Sequence, residues 1–139
     1  MATTAGLLDT SVLIALPGLR DVTQLPEIPH ISTITLVELS VGPLVAPTEP
    51  ERAARQAVLQ QAEADFDPLP FDAAAARCFG RVASALREAG RKPQARSYDA
   101  MIAAVALARG LPLHTANPDD FPALPGLTVV AVVAQTSGA

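Results

Sequence analysis

Segments with strand character alternate with segments of helical period along this chain, and that alternation limits the fold more than any single motif. Residues 6–9 read as a buried strand that ends on Asp9, and residues 11–16 as a short helix or turn stopped by Pro17-Gly18. Residues 28–33 (IPHIST) read as a second strand, and the first part of 34–44 as a buried helix that ends before Gly42-Pro43. A helix is expected over 51–66, and at most a short edge strand over the proline-rich 67–71. Asp72 caps a long helix running to about Ala89, with an apolar stripe of Ala75, Phe79, Val82 and Leu86; Gly90 closes it. Residues 97–109 form a further helix ended by Gly110, residues 111–115 a short strand, and residues 117–124 a loop or helical turn. The run LTVVAVV at 127–133 is continuous, apolar and β-branched, which suits a strand buried on both faces. Strands alternating with helices imply an α/β layered fold on a mostly parallel central sheet. In such sheets ligands bind beyond the carboxyl ends of the strands.

The chain's 139 residues suit one domain, so residues 1–139 are read as a single unit. Half of them are hydrophobic, enough to bury a core and to exclude wholesale disorder. Ten basic residues against fourteen acidic ones leave a net charge of -4, which excludes nucleic-acid binding driven by bulk positive charge. Cys78 is the single cysteine, and His30 and His114 fit no zinc spacing, so neither a disulfide framework nor a thiolate metal site is expected. No apolar run is long enough to span a bilayer, and residues 1–6 carry no basic leader. The expected location is therefore the cytoplasm.

Four acids stand out against this framework. Asp9 ends the first strand, and Asp120 follows the strand at 111–115; each can serve as a cap or turn acid, yet both fall on the ligand-binding edge of the sheet. Glu38 has Leu36, Val37, Leu39 and Val41 around it and no basic neighbour in sequence. A glutamate on an apolar helix is costly to bury without a partner, commonly a cation; a narrow solvated edge is the bland alternative, and the functional reading is preferred to it. Asp99 opens a helix of small apolar residues, where it complements the dipole and where Arg96 is spaced to pair with it. Four converging carboxylates repel one another, and a bound divalent ion relieves that repulsion. Oxygen-only ligands suit Mg²⁺ or Mn²⁺ rather than zinc, and such ions activate water against phosphodiesters.

The segments LLDTSVLIAL (7–16), ISTITLVELSVG (31–42), RSYDAMIAAVALARG (96–110) and LHTANPDDF (113–121) together resemble the PIN-domain ribonucleases, in particular the VapC-type toxins of bacterial toxin–antitoxin pairs. The set occurs in family order over nearly the whole chain. The resemblance implies a PIN-like three-layer α/β/α sandwich and a Mg²⁺- or Mn²⁺-dependent endoribonuclease. Carried onto this sequence, it makes Asp9 and Asp99 the chief metal ligands, with Glu38 completing the acidic cluster directly or through water. Asp120 is the fourth acid, and Thr10, Ser11, Thr115 and Asn117 are polar groups near the metal or the scissile phosphate. Many PIN domains carry an acid where Asn117 stands, so the fourth role is open between Asn117, Asp119 and Asp120. The resemblance also implies a homodimer, a cognate VapB-like antitoxin, and structured RNA such as tRNA or rRNA as substrate.

Six of the ten basic residues are Arg77, Arg81, Arg87, Arg91, Lys92 and Arg96. A solvated helix face and an RNA-backbone track describe them equally well. With four Phe and one Tyr, base stacking has little to work with. His30 and His114 read as satisfied structural histidines, and Cys78 as a small core residue. Two other function classes are carried. A phosphatase or phospho-acceptor module would use Asp9, but a haloacid-dehalogenase-like enzyme needs a second Asp where Ser11 stands, and a receiver needs a late-strand lysine. The other is a PIN-fold binding module without catalysis.

Overall fold

The computed structural model describes residues 4–90, 97–121 and 123–133. Four strands, β1 (Ala5–Leu8), β2 (Ile28–His30), β3 (Leu113–Thr115) and β4 (Val129–Ala131), form one sheet in the order β2-β1-β3-β4. All three pairings are parallel, with Leu7 opposite both His30 and Leu113, and His114 opposite Val130. Five α-helices connect and cover them: α1 (Thr10–Ala15), α2 (Thr33–Val41), α3 (Glu49–Asp65), α4 (Ala73–Glu88) and α5 (Ser97–Arg109).

Successive side chains of a strand point to opposite faces, and Leu7 and Leu8 show the consequence. Leu7 packs with Val82, Leu86 and the buried run Ile102 to Ala106 of α5 on one face. Leu8 packs with Val12, Leu13, Leu39 and Ala62, from α1, α2 and α3, on the other. Two cores on two faces make the expected α/β/α sandwich. The small residues of α5 let that helix lie close to the sheet, and Ile102 to Ala106 are completely buried.

The helix ends follow the sequence chemistry. Asp72 accepts from Ala75 N at 3.0 Å and caps α4. That bond holds its carboxyl below the ordinary value, with help from the Arg109 guanidinium 3.6 Å away. Gly90 and Gly110 take φ of 76° and 64° just past α4 and α5, where a left-handed residue terminates a helix.

Two strand expectations are corrected. The terminal apolar run supplies only Val129–Ala131 as strand, and it lies at the sheet edge rather than buried on both faces; Val133 is 63% exposed. The second strand stops at His30 because Ser32 leaves it to cap α2. The proline-rich 67–71 segment stays within its expectation of at most a short edge strand, contributing a single parallel bridge, Leu69 to Ser32.

Candidate metal centre

Asp9 follows β1 directly and is 3% exposed. It is the N-cap of α1: Oδ1 accepts from Val12 N at 3.1 Å and from the Ser11 hydroxyl at 2.6 Å. Its own N–H donates to the His114 carbonyl at 3.0 Å, tying the end of β1 to β3. The capping role and the site role are therefore compatible, since one carboxylate oxygen takes both bonds. Ser11 Oγ also accepts from Ala116 N at 3.0 Å, which fastens the loop after β3 to the start of α1. The Ser11 proton is committed to Asp9, so the 3.4 Å contact with Thr115 Oγ1 is donated by Thr115, whose oxygen in turn accepts from Asn117 N at 3.0 Å. Hydroxyls thus link the β3 edge to Asp9, and Thr115 is completely buried within that link.

Glu38 lies on the middle turns of α2, half-buried. Oε1 accepts from the Thr10 hydroxyl at 2.7 Å. Burial pushes its carboxyl above the ordinary value, the Thr10 bond opposes this, and the negative charges of Asp99 and Asp9 push it up further. Asp99, half-buried in the first turn of α5, and Asp9 are thus within electrostatic reach of Glu38. Three acids from three helices, α1's cap, α2 and α5, share one field.

Asp120 closes the turn Pro118–Asp120 after β3, on the same sheet edge as Asp9. Phe121, 8% exposed, anchors that turn in the core. Asp120 is half-buried, while Asn117 and Asp119 are exposed. Among the described residues, no three acids, histidines or cysteines are gathered tightly enough to hold a metal ion on their own. The donor set is all oxygen and rich in negative charge, which fits a hard cation that keeps several of its waters.

A cavity of about 470 Å³ opens beside Glu38, lined by Thr10, Glu38 and Arg55 together with apolar groups that include Ile14 and Val58. Arg55 is partly engaged, donating to the Gly42 carbonyl at 2.9 Å and lying 3.7 Å from Glu51. Arg77, Arg81 and Arg87 are exposed on α4, although Arg81 donates to the Pro125 carbonyl at 3.2 Å; Arg91, Lys92 and Arg96 lie outside the described residues. Cys78 is half-buried against the α4–α5 core, as expected; His114 is a buried strand residue, but its Nδ1 has no hydrogen-bond partner among the described residues, so it is not the satisfied structural histidine expected.

Thr35 is the site residue that sequence reasoning missed. It is completely buried, and its Oγ1 stands 3.1 Å from Thr10 Oγ1. Its signal was present in the spacing, since Thr35 and Glu38 are three apart on a helix and so share a face.

Comparison with known proteins places this chain in a family. The PIN domain family model matches residues 6–127. The chain is 43% identical to the ribonuclease VapC5 of Mycobacterium tuberculosis over 96% of its own length and 98% of the relative's. It is 36% identical to the ribonuclease VapC8 of the same species over 73% of its length and 89% of the relative's. The crystal structure of VapBC-5 from M. tuberculosis, a member of the VapBC family of toxin–antitoxin systems, superposes with a TM-score of 0.79 at 42% identity, covering 93% of this chain and 99% of the other. The chain belongs to the PIN domain family and, within it, to the VapC ribonucleases.

Proposed function

We propose that this chain is a divalent-metal-dependent endoribonuclease, the toxin of a type II toxin–antitoxin pair, and that residues 1–139 act as a single PIN domain. The observation that carries the reading is Glu38, half-buried and held in the combined field of Asp99 and Asp9. Buried like charges are costly in the absence of a cation, so their retention favours a cation-binding role. Asp9, Glu38 and Asp99, with Asp120 from the neighbouring strand edge, would hold Mg²⁺ or Mn²⁺. When bound, the ion supplies Lewis-acid and water-activating chemistry at a phosphodiester.

The chain's own groups do the positioning. Ser11 and Val12 N fix one oxygen of Asp9, leaving the other for the ion. Thr10 fixes Oε1 of Glu38. Thr115 holds the β3 loop in register with Asp9, and Asn117 stands exposed on the edge where a scissile phosphate would arrive. The net charge of -4 does not attract RNA, so cations at the acids restore attraction where cutting occurs.

The name of the solved relative speaks of toxin–antitoxin systems, and a VapB-like antitoxin is the matching partner here. Exposed Ile14, Val37, Val41, Leu44 and Val45 supply apolar surface for that partner and for a homodimer. Among the described residues no helix is long and apolar enough to cross a membrane, and a cytoplasmic location goes with an RNA substrate such as tRNA or rRNA.

The test is cleavage of a panel of structured RNAs with Mg²⁺, with Mn²⁺ and with chelator. The parent cuts only with metal, and Asp9→Asn and Asp99→Asn do not cut. Variants that cut as well as the parent would show the site to be elsewhere.

A further inference from the structure

Thr10 Oγ1 makes two oxygen contacts, 2.7 Å to Glu38 Oε1 and 3.1 Å to Thr35 Oγ1. A threonine hydroxyl has one proton. A carboxylate is the stronger acceptor, and hydrogen bonds to ionised acceptors are the shorter ones, so that proton goes to Glu38. The contact with Thr35 is then made by the proton of Thr35. Thr35 lies in the first turn of α2, and its N–H is directed to Ser32 O at 3.1 Å. Its hydroxyl is completely buried, where an unpaired donor is costly, and Thr10 Oγ1 is the acceptor beside it.

We propose that Thr35 is a positioning residue: it donates to Thr10, and Thr10 donates to Glu38, so that a directed chain of two hydroxyls fixes the rotamer of Glu38 from beneath. Thr35 touches neither substrate nor ion and acts only through Thr10. The chain joins α2 to α1 and back to α2, which locks Glu38 against the helix that Asp9 caps. The role in catalysis rests on the ribonuclease reading above; the hydroxyl chain itself does not.

Thr35→Val keeps the shape and removes the donor, leaving the second lone pair of Thr10 unpaired. With RNA substrate and saturating Mn²⁺, it lowers kcat by roughly 10- to 100-fold, the range for losing an outer partner of a metal ligand, with KM unchanged. Thr35→Ser returns the hydroxyl and most of the rate. In a Thr10→Val background, Thr35→Val costs nothing further. A second arm needs no activity: in metal-free protein, Thr35→Val and Glu38→Ala, which removes the acceptor of Thr10, are non-additive in unfolding free energy, and become additive once Thr10→Val is present. Thr35→Cys, with its weak donor, carries the same cycles if Thr35→Val does not fold. Additivity between Thr35 and Glu38 with Thr10 intact overturns the proposal, as does equal loss of kcat in Thr35→Ser and Thr35→Val. Non-additivity in protein that cuts no RNA keeps the hydroxyl chain and rejects the ribonuclease reading.

Discussion

Thr10 Oγ1 donates to Glu38 Oε1 at 2.7 Å across 28 positions of sequence, joining the helix after the first strand to the helix after the second. This bond tempers the electrostatics of the candidate centre, where burial is the larger effect. It opposes the burial and the two like charges that raise the Glu38 carboxyl, and so keeps the ionised form available for a cation.

That arrangement has a cost in stability. Because folding raises the Glu38 carboxyl above its ordinary value of 4.5, its contribution to stability is full below that value and is lost as pH rises through the folded value. Glu38→Gln keeps an acceptor for Thr10 and removes the charge. In metal-free protein it raises Tm near neutral pH, and the gain disappears on acidification below pH 4.5. Thermal melts across that range check both parts.

Gly6 and His114 form a size-matched pair in the centre of the sheet. A Cβ on Gly6 would lie 2.5 Å from His114 Nε2 and 3.1 Å from Pro26 Cγ. Gly6→Ala overpacks this spot and lowers stability by about 1–3 kcal/mol. His114→Ala clears the nearer contact, so the double variant loses less than the sum of the two singles. Denaturant titration of the four proteins measures the coupling.

His114 also gives a slope with pH. It is 7% exposed, its Nδ1 has no hydrogen-bond partner among the described residues, and burial holds it below its ordinary value of 6.5. A depressed histidine stays neutral in the fold and charges more readily when unfolded. Its stability contribution is complete above pH 6.5 and falls as pH drops toward the folded value. His114→Leu flattens the Tm profile over that interval, as pH-dependent melts will report.

Much of this was legible in the sequence because it depends on local patterning. Leu7 and Leu8 are consecutive apolar residues in a strand, so both faces of β1 had to be covered, and both are. Asp72 before an apolar stripe and Gly90 after it bounded α4 to within a residue. What local patterning does not contain is position within the sheet. The β-branched run ending at 133 had the composition of a central strand, yet among the described residues β4 pairs only with β3 and stands at the edge. Glu38 was singled out by the mismatch between its charge and its apolar surroundings, Asp9 and Asp120 by their place after strands, and Asp99 by its place at the start of a core helix, all of which a sequence displays. Thr35 was missed although it shares a helix face with Glu38, because that spacing alone does not tell a buried hydroxyl from a β-branched core residue; its partner lies 25 positions away.

The central claim is that Asp9, Glu38 and Asp99 act as one cation site, and calorimetric titration with Mn²⁺ tests it most directly. The parent protein binds Mn²⁺. Asp9→Asn, Glu38→Gln and Asp99→Asn each weaken binding by more than the roughly 10- to 100-fold that follows loss of a ligand's outer partner. Parent-like affinity in all three variants would contradict the account.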